Sequence, residues 1–115
     1  MAGKWEFPGG KVSGGESLVG CIRREIAEEL GLEVLDAVQI ATVEHADQQP
    51  AIRLHFLECY VAAGAEPVCR EGQQVGWFTL AETAGLDLLP ADRVFLDRFS
   101  PLLGVASGTA ERHLT

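Results

Sequence analysis

Glu25, Glu28 and Glu29 stand at i, i+3 and i+4 in a segment of helical period. That spacing sets three carboxylates on neighbouring positions of one helix face. At neutral pH they repel one another, and the adjacent Arg23 and Arg24 offset only part of the repulsion. A cluster of carboxylate oxygens with an unfavourable self-energy suits a hard divalent cation such as magnesium, which takes oxygen ligands. A solvated acidic helix face is the competing reading, because glutamate is a good helix former. On these three residues alone that reading is the stronger.

The wider pattern reverses the balance. Gly10 is followed by five residues and Glu16, then by seven residues and Arg24-Glu25-Ile26-Ala27-Glu28-Glu29-Leu30-Gly31-Leu32. Residues 10–32 thereby resemble the Nudix box, with every specified position filled. So many positions at fixed spacing are far more specific than a lone glycine-rich loop. Trp5-Glu6-Phe7-Pro8-Gly9-Gly10-Lys11 is similar to the segment leading into the box in MutT-type members of that family. Arg70-Glu71-Gly72-Gln73, followed by Trp77, resembles the segment that supplies a further acid there. Leu89-Pro90-Ala91-Asp92 resembles their base-recognition segment.

The resemblance implies a role for each of these residues. Glu25, Glu28 and Glu29, with the backbone carbonyl of Gly9, are expected to hold magnesium, or manganese in its place. Glu71 is expected as a further ligand or as the general base, a role that Glu25 could also take. Arg24 would orient a helix glutamate, and Glu16 would fix the loop–helix junction. Gly10 and Gly31 complete the structural positions of the box. Phe7 and Asp92 would lie at the nucleobase, and Lys11 could meet a phosphate. The implied chemistry is attack of water on a nucleoside diphosphate linked to a further group. A nucleoside triphosphate cut to the monophosphate and pyrophosphate is the leading case, with oxidised purine nucleotides such as 8-oxo-dGTP among the substrates. Hydrolysis of a pyrimidine triphosphate or a sugar nucleotide is one alternative. An inactive domain that binds nucleotide or a protein partner is another.

Residues outside this pattern carry weaker signals. His45, His55 and His113 lack metal-ligand spacing, and His55 falls within a strand pattern. Trp5 and Trp77 read as structural, with Trp5 also able to line a base pocket. Lys11 is equally well read as solvated, and Asp92 as an acid favoured by a helix N-terminus. Cys21, Cys59 and Cys69 are odd in number and contain no C-x-x-C pair, so free thiols are expected.

These residues need elements to position them. Lys4–Phe7 reads as a short strand, ended by Pro8, Gly9 and Gly10. Leu18, Ile22, Ile26 and Leu30 recur every four residues and predict a helix, with Ser17 as N-cap and Gly31 just past its end. Val34–Glu44, Ile52–Val61 and Val75–Phe78 read as strands, with turns at 47–50 and 64–67. On the second of these, Ile52, Leu54, Phe56 and Tyr60 should share a face. Thr79 and Glu82 form a capping-box pattern before a short helix. Pro90 precedes a second amphipathic helix whose Val94, Phe95 and Phe99 should face the core. The resemblance implies an α/β/α sandwich with a mixed sheet, as one domain over 1–103. The small polar residues of 104–115 predict a mobile tail.

The 115 residues carry 17 acids against 9 bases, a formal charge of −8. Nonspecific DNA or RNA binding needs clustered Lys and Arg, so no nucleic-acid partner is expected. A small polyanionic substrate remains compatible, provided cations sit between carboxylates and phosphates. No long apolar run predicts a membrane span. The first residues form neither a signal segment nor an Arg-rich leader, and a cytoplasmic protein is expected.

MutT-type proteins carry strands ahead of the segment that here begins at Trp5, so the resemblance implies an N-terminally truncated domain. An internal Met1 in a longer natural chain, strand pairing in a homodimer through the exposed sheet edge, and a weakly folding relative are three competing accounts.

Overall fold

The computed structural model describes residues 3–45, 52–103 and 107–112. Its elements run β1 (Trp5–Glu6), α1 (Leu18–Leu30), β2 (Asp36–His45), β3 (Ile52–Tyr60), β4 (Gln74–Thr79), α2 (Leu80–Thr83), α3 (Pro90–Leu103) and β5 (Ser107–Arg112). The chain is an α/β fold.

Local chemistry sets the helix ends. The Ser17 hydroxyl accepts from the Gly20 amide at 3.0 Å and opens α1. Gly31 closes it in the left-handed region, at φ 65°, its amide donating to the Ala27 carbonyl at 3.1 Å. The Thr79–Glu82 capping box forms as the sequence predicts, with both reciprocal bonds present.

The β2–β3 hairpin carries the layering. Ala37 opposes Cys59 and Ala41 opposes Phe56, with a register shift between Gln39 and Ala41. One extra residue on a strand turns the following side chains to the other face. Ala37 therefore packs with Leu57 and Cys59 against Ile26 and Leu30 of α1. Ala41 and Val43 pack with Phe56 against Phe95 and Leu96 of α3. The hairpin thus lies between α1 and α3, and both faces of β3 are used. Tyr60, expected to share a face with Phe56, is exposed at the end of β3. On α3, Ala91, Asp92, Phe95 and Leu96 are buried, whereas Val94 is 40% exposed, a correction to its expected core position. The side chain of Phe99 and the turn at 47–50 lie outside the described residues.

Two expectations are corrected. The named strands pair antiparallel throughout, in a β1-β5-β4 sheet and a separate β2-β3 sheet, not in one mixed sheet. A parallel contact occurs only as the isolated Trp5–Leu88 bridge among the described residues. The segment expected as a mobile tail contains β5, which pairs with β1 on one side and β4 on the other. Its composition does not announce a strand; hydrogen bonding to two neighbours supplies what propensity lacks. No helix among the described residues is long and apolar enough to cross a membrane.

The loop over residues 68–73 docks on the end of α1. Helix C-termini leave carbonyls without intrahelical partners, and this loop meets those of α1. Val68 donates to the Leu30 carbonyl at 2.8 Å and Arg70 to the Glu29 carbonyl at 3.4 Å. A Cβ on Gly31 would stand 2.7 Å from the Arg70 Nε, so the glycine also makes room for this docking.

Candidate active site

Arg24 is the hub of the box. Its Nε donates to Glu16 Oε2 at 2.8 Å and its Nη1 to Glu25 Oε1 at 2.8 Å, with Glu28 Oε2 at 3.4 Å. Its Nη2 reaches Glu16 Oε1 at 3.1 Å and the Lys11 carbonyl at 3.2 Å. Glu16 is thus gripped by two guanidinium nitrogens while its Oε1 also accepts from the Ser13 amide at 2.9 Å. The Arg24 guanidinium, aided by that amide, holds the Glu16 carboxyl down at about 2. Arg24 is raised in turn, first by Glu16 and then by Glu25. The fork geometry of an arginine makes this possible, since a lysine presents one point charge.

The loop before α1 closes on the same helix. Gly10 lies so near Glu25 that a Cβ there would collide with the glutamate's carboxyl group. Beneath the loop the buried Cys21 thiol donates to the Lys11 carbonyl at 3.6 Å, and burial pushes that thiol up. The Lys11 side chain is exposed.

The three helix acids do not share one solvated face. Glu28 is exposed, Glu25 is half-buried against Arg24, and Glu29 is buried. Glu71 is exposed, on the loop whose Val68 and Arg70 dock on the last turn of α1. Its amide donates to Gln73 Oε1 at 2.8 Å. The structure therefore brings the Glu71 segment to the Glu29 end of the helix.

At the other end of the site, the Phe7 amide donates to Asp92 Oδ2 at 3.1 Å. Phe7 sits edge-on to Phe56 and Phe95, which stack on each other at 4.1 Å. Asp92 is 8% exposed, and burial pushes its carboxyl up to about 6; the Phe7 amide opposes this and Glu6 adds to it. A cleft of about 800 Å³ runs from this pair to the box loop, bordered by Phe7, Gly9, Gly10, Lys11, Ile22 and Asp92. That volume is within the ~300–1,000 Å³ of small-molecule sites. Trp5 packs edge-on to Phe78 as a structural residue should. Trp77 is 38% exposed and borders the cleft.

The candidate metal ligands can be tested against this arrangement. Carboxylates plus the Gly9 carbonyl are all oxygen donors, which is the chemistry a hard divalent cation takes. The Gly10 cradle brings the Glu25 carboxyl against the loop that carries the Gly9 carbonyl. The donor set fits such an ion. Among the described residues, though, no three acids, histidines or cysteines are drawn around one point; Arg24 holds Glu16, Glu25 and Glu28 instead.

Sequence reasoning missed two features. Gln73, 4% exposed, links the Glu71 amide to the Glu29 carbonyl; its only signal was its place in the Arg70–Gln73 segment. His55 Nδ1 lies 3.1 Å from Gln39 Nε2 and 3.2 Å from Thr42 Oγ1, a cross-strand network that depends on hairpin register. The three cysteines are free.

Comparison with known proteins bears on the whole chain. Residues 1–101 match the NUDIX domain model. A putative 8-oxo-dGTP diphosphatase 2 of Mycobacterium tuberculosis is 35% identical over 118 residues, covering 97% of this chain and 79% of that protein. The CTP pyrophosphohydrolase of Escherichia coli strain K12 is 34% identical over 102 residues, covering 89% of this chain and 75% of its own length. The 8-oxo-dGTP diphosphatase of Buchnera aphidicola subsp. Acyrthosiphon pisum is 35% identical over 83 residues, 72% of this chain and 66% of that protein. With the box filled, its loop cradling Glu25, and a match over nearly the full chain, the protein belongs to the Nudix family, as a MutT-like hydrolase acting on pyrophosphate bonds.

Proposed function

We propose that this enzyme hydrolyses a nucleoside triphosphate to the monophosphate and pyrophosphate with magnesium, an oxidised purine nucleotide such as 8-oxo-dGTP being the preferred substrate. The observation that carries the reading is the single cleft that joins the box loop at Gly9 and Gly10 to the Phe7–Asp92 pair. A nucleotide has an anionic end and an aromatic end, and this cleft offers a different wall to each. The names of the similar proteins, diphosphatases of 8-oxo-dGTP and a pyrophosphohydrolase of CTP, support the class and keep a pyrimidine triphosphate as the second reading.

Glu25, Glu28, Glu29 and Glu71, with the Gly9 carbonyl, would hold the cation; Mn²⁺ could replace Mg²⁺. Bound there, it would neutralise charge on the phosphate oxygens and favour deprotonation of the attacking water. Water attacks the β-phosphorus, the bond to the oxygen bridging to the α-phosphorus breaks, and the monophosphate leaves. Glu25 or Glu71 accepts the water's proton. Arg24 keeps Glu25 in place through the 2.8 Å bond, and Glu16 anchors Arg24. Lys11, at the cleft rim, would meet a phosphate. Asp92, raised to about 6, is a carboxyl able to accept from a base amine or, when protonated, to donate to a base carbonyl.

Pyrophosphate release over a panel of nucleotides with magnesium tests the reading. Turnover of 8-oxo-dGTP well above dGTP and CTP is the expected result. A preference for CTP would move the assignment to the second reading, and no turnover of any nucleotide would overturn both. Pairing of a second copy along the β2–β3 hairpin is part of the proposal. Among the described residues that hairpin is a two-stranded sheet, so its outer edges lie outside any ladder. Sedimentation should give a dimer; a strictly monomeric folded species would count against it.

A further inference from the structure

We propose that Gln73 is a positioning residue that locks the Glu71 loop to the Glu29 turn of α1, and so sets the spacing between two cation ligands. The proposal rests on the reading of Glu29 and Glu71 as ligands. Its own evidence is geometric. Gln73 is 4% exposed, and its one amide group faces both segments. Its Nε2 donates to the Glu29 carbonyl at 3.1 Å and its Oε1 accepts from the Glu71 amide at 2.8 Å. One rigid planar group therefore ties the backbones of residues 29 and 71, which are 42 positions apart in the chain.

The chemistry is demanding. The position needs a donor toward a carbonyl and an acceptor toward an amide, from a side chain of fixed length. Glutamate keeps the acceptor and loses the donor; methionine keeps the shape and loses both. A second stitch at this carbonyl, from the Arg70 amide, is long at 3.4 Å. Glu71 itself is exposed, and the nearest shorter stitch of its loop to α1, from the Val68 amide to the Leu30 carbonyl, lies three residues away. A loop ligand that is not held pays its ordering entropy when the cation binds. Groups that orient ligands without touching the metal typically change affinity by about 10- to 100-fold when removed.

A helix cap alone would also place a glutamine here, and a cap predicts lost stability with unchanged cation binding. The test is Mn²⁺ titration of wild type, Gln73→Met, Glu71→Gln and the double variant, with free Mn²⁺ read by its paramagnetic resonance signal. Gln73→Met should weaken Mn²⁺ by about 10- to 100-fold. The double variant should bind no worse than Glu71→Gln, because the clamp acts through Glu71. Loss in Glu71→Gln with none in Gln73→Met overturns the proposal and leaves the ligand reading standing. Additive losses also overturn it. No loss in Glu71→Gln overturns the ligand reading and the proposal with it. Should Gln73→Met fail to fold, amide exchange in the wild-type protein decides: the Glu71 amide should be protected along with the last turn of α1, and exchange as fast as that of Gly72 overturns the clamp.

Discussion

The carboxylate of Glu25 lies against the bare Cα of Gly10, in space that a Cβ on that residue would fill. The specified glycine and the specified glutamate of the box, fifteen positions apart, are thus one steric unit. Gly10 has no positive φ, so its requirement comes from the space Glu25 occupies and not from its own backbone.

Gly10→Ala should therefore separate function from folding. The new methyl meets the end of a flexible side chain, which can swing away, so stability should change by less than about 1 kcal/mol. The displaced carboxylate leaves its 2.8 Å contact with Arg24. A misplacement of about 1 Å near the chemistry can cost about a hundredfold in rate. Thermal melts beside steady-state turnover check this. A fully active, normally stable Gly10→Ala would break the link between the two residues.

Arg24→Lys should release Glu16. The carboxyl is held at about 2 by the guanidinium, well below its ordinary 4.5, so the folded state gains stability that is present above 4.5 and lost as pH falls toward 2. Lysine cannot bond both Glu16 oxygens and Glu25 together. Carbon-detected NMR titration should find Glu16 moving up toward its ordinary value in the variant, with a smaller loss of stability across the window from 4.5 to 2. An unmoved Glu16 would mean that the Ser13 amide, not Arg24, sets it.

Asp92 predicts the opposite limb. Its folded carboxyl is raised from 3.8 to about 6 by burial, so the folded state binds the proton more tightly than the unfolded chain. Stability is then greatest below 3.8, falls as pH rises toward 6, and levels above it. The displacement corresponds to roughly 3 kcal/mol, an upper bound on what ionising this buried group costs. Asp92→Asn keeps an oxygen for the Phe7 amide and removes the charge. It should raise stability at pH 8 by about 1–3 kcal/mol and change it far less at pH 3, below both values. Denaturant melts at the two pH values check it; equal effects would remove Asp92 as the cause.

The sequence was legible where the determinants are local. Ser17, Gly31 and the four-residue recurrence of Leu18 to Leu30 fixed α1, and the Thr79–Glu82 pair fixed the start of α2. The box residues were legible for the same reason: Glu16, Arg24 and Glu25 meet across one loop and two helical turns. Phe7 and Asp92 were assigned a common place only through family resemblance, and they meet at 3.1 Å. What stayed hidden depends on partners distant in sequence. Ser107–Arg112 has no strand composition and becomes β5 because β1 and β4 both present hydrogen-bonding edges. The irregularity near Ile40 sends Ala37 and Ala41 to opposite faces although both are odd-numbered, which no strict alternation can anticipate. Gln73 looked like any loop amide until the loop was seen on the end of α1.

The helix carboxylates carry the mechanistic prediction. Glu25→Gln and Glu28→Gln keep length and helix propensity while removing charge. Glu28 is exposed and 3.4 Å from Arg24, so its ion pair contributes within about 0–1 kcal/mol. Glu25→Gln retains an oxygen that can accept from Arg24. Both variants should fold, with some relief of like-charge repulsion along α1. Turnover should collapse, because a cation at transferring phosphates contributes several kcal/mol of transition-state stabilisation. A loss of ~4 kcal/mol is about a thousandfold in rate. Glu71→Gln then divides the roles. As general base, it lowers kcat and leaves divalent affinity intact; as a ligand, it lowers both. The position of Glu71 on a loop docked to the Glu29 turn favours the ligand outcome. A merely solvated acidic face predicts no effect in any of the three. Near-normal turnover in Glu25→Gln and Glu28→Gln beside an active wild type would leave the metal-assisted mechanism without support.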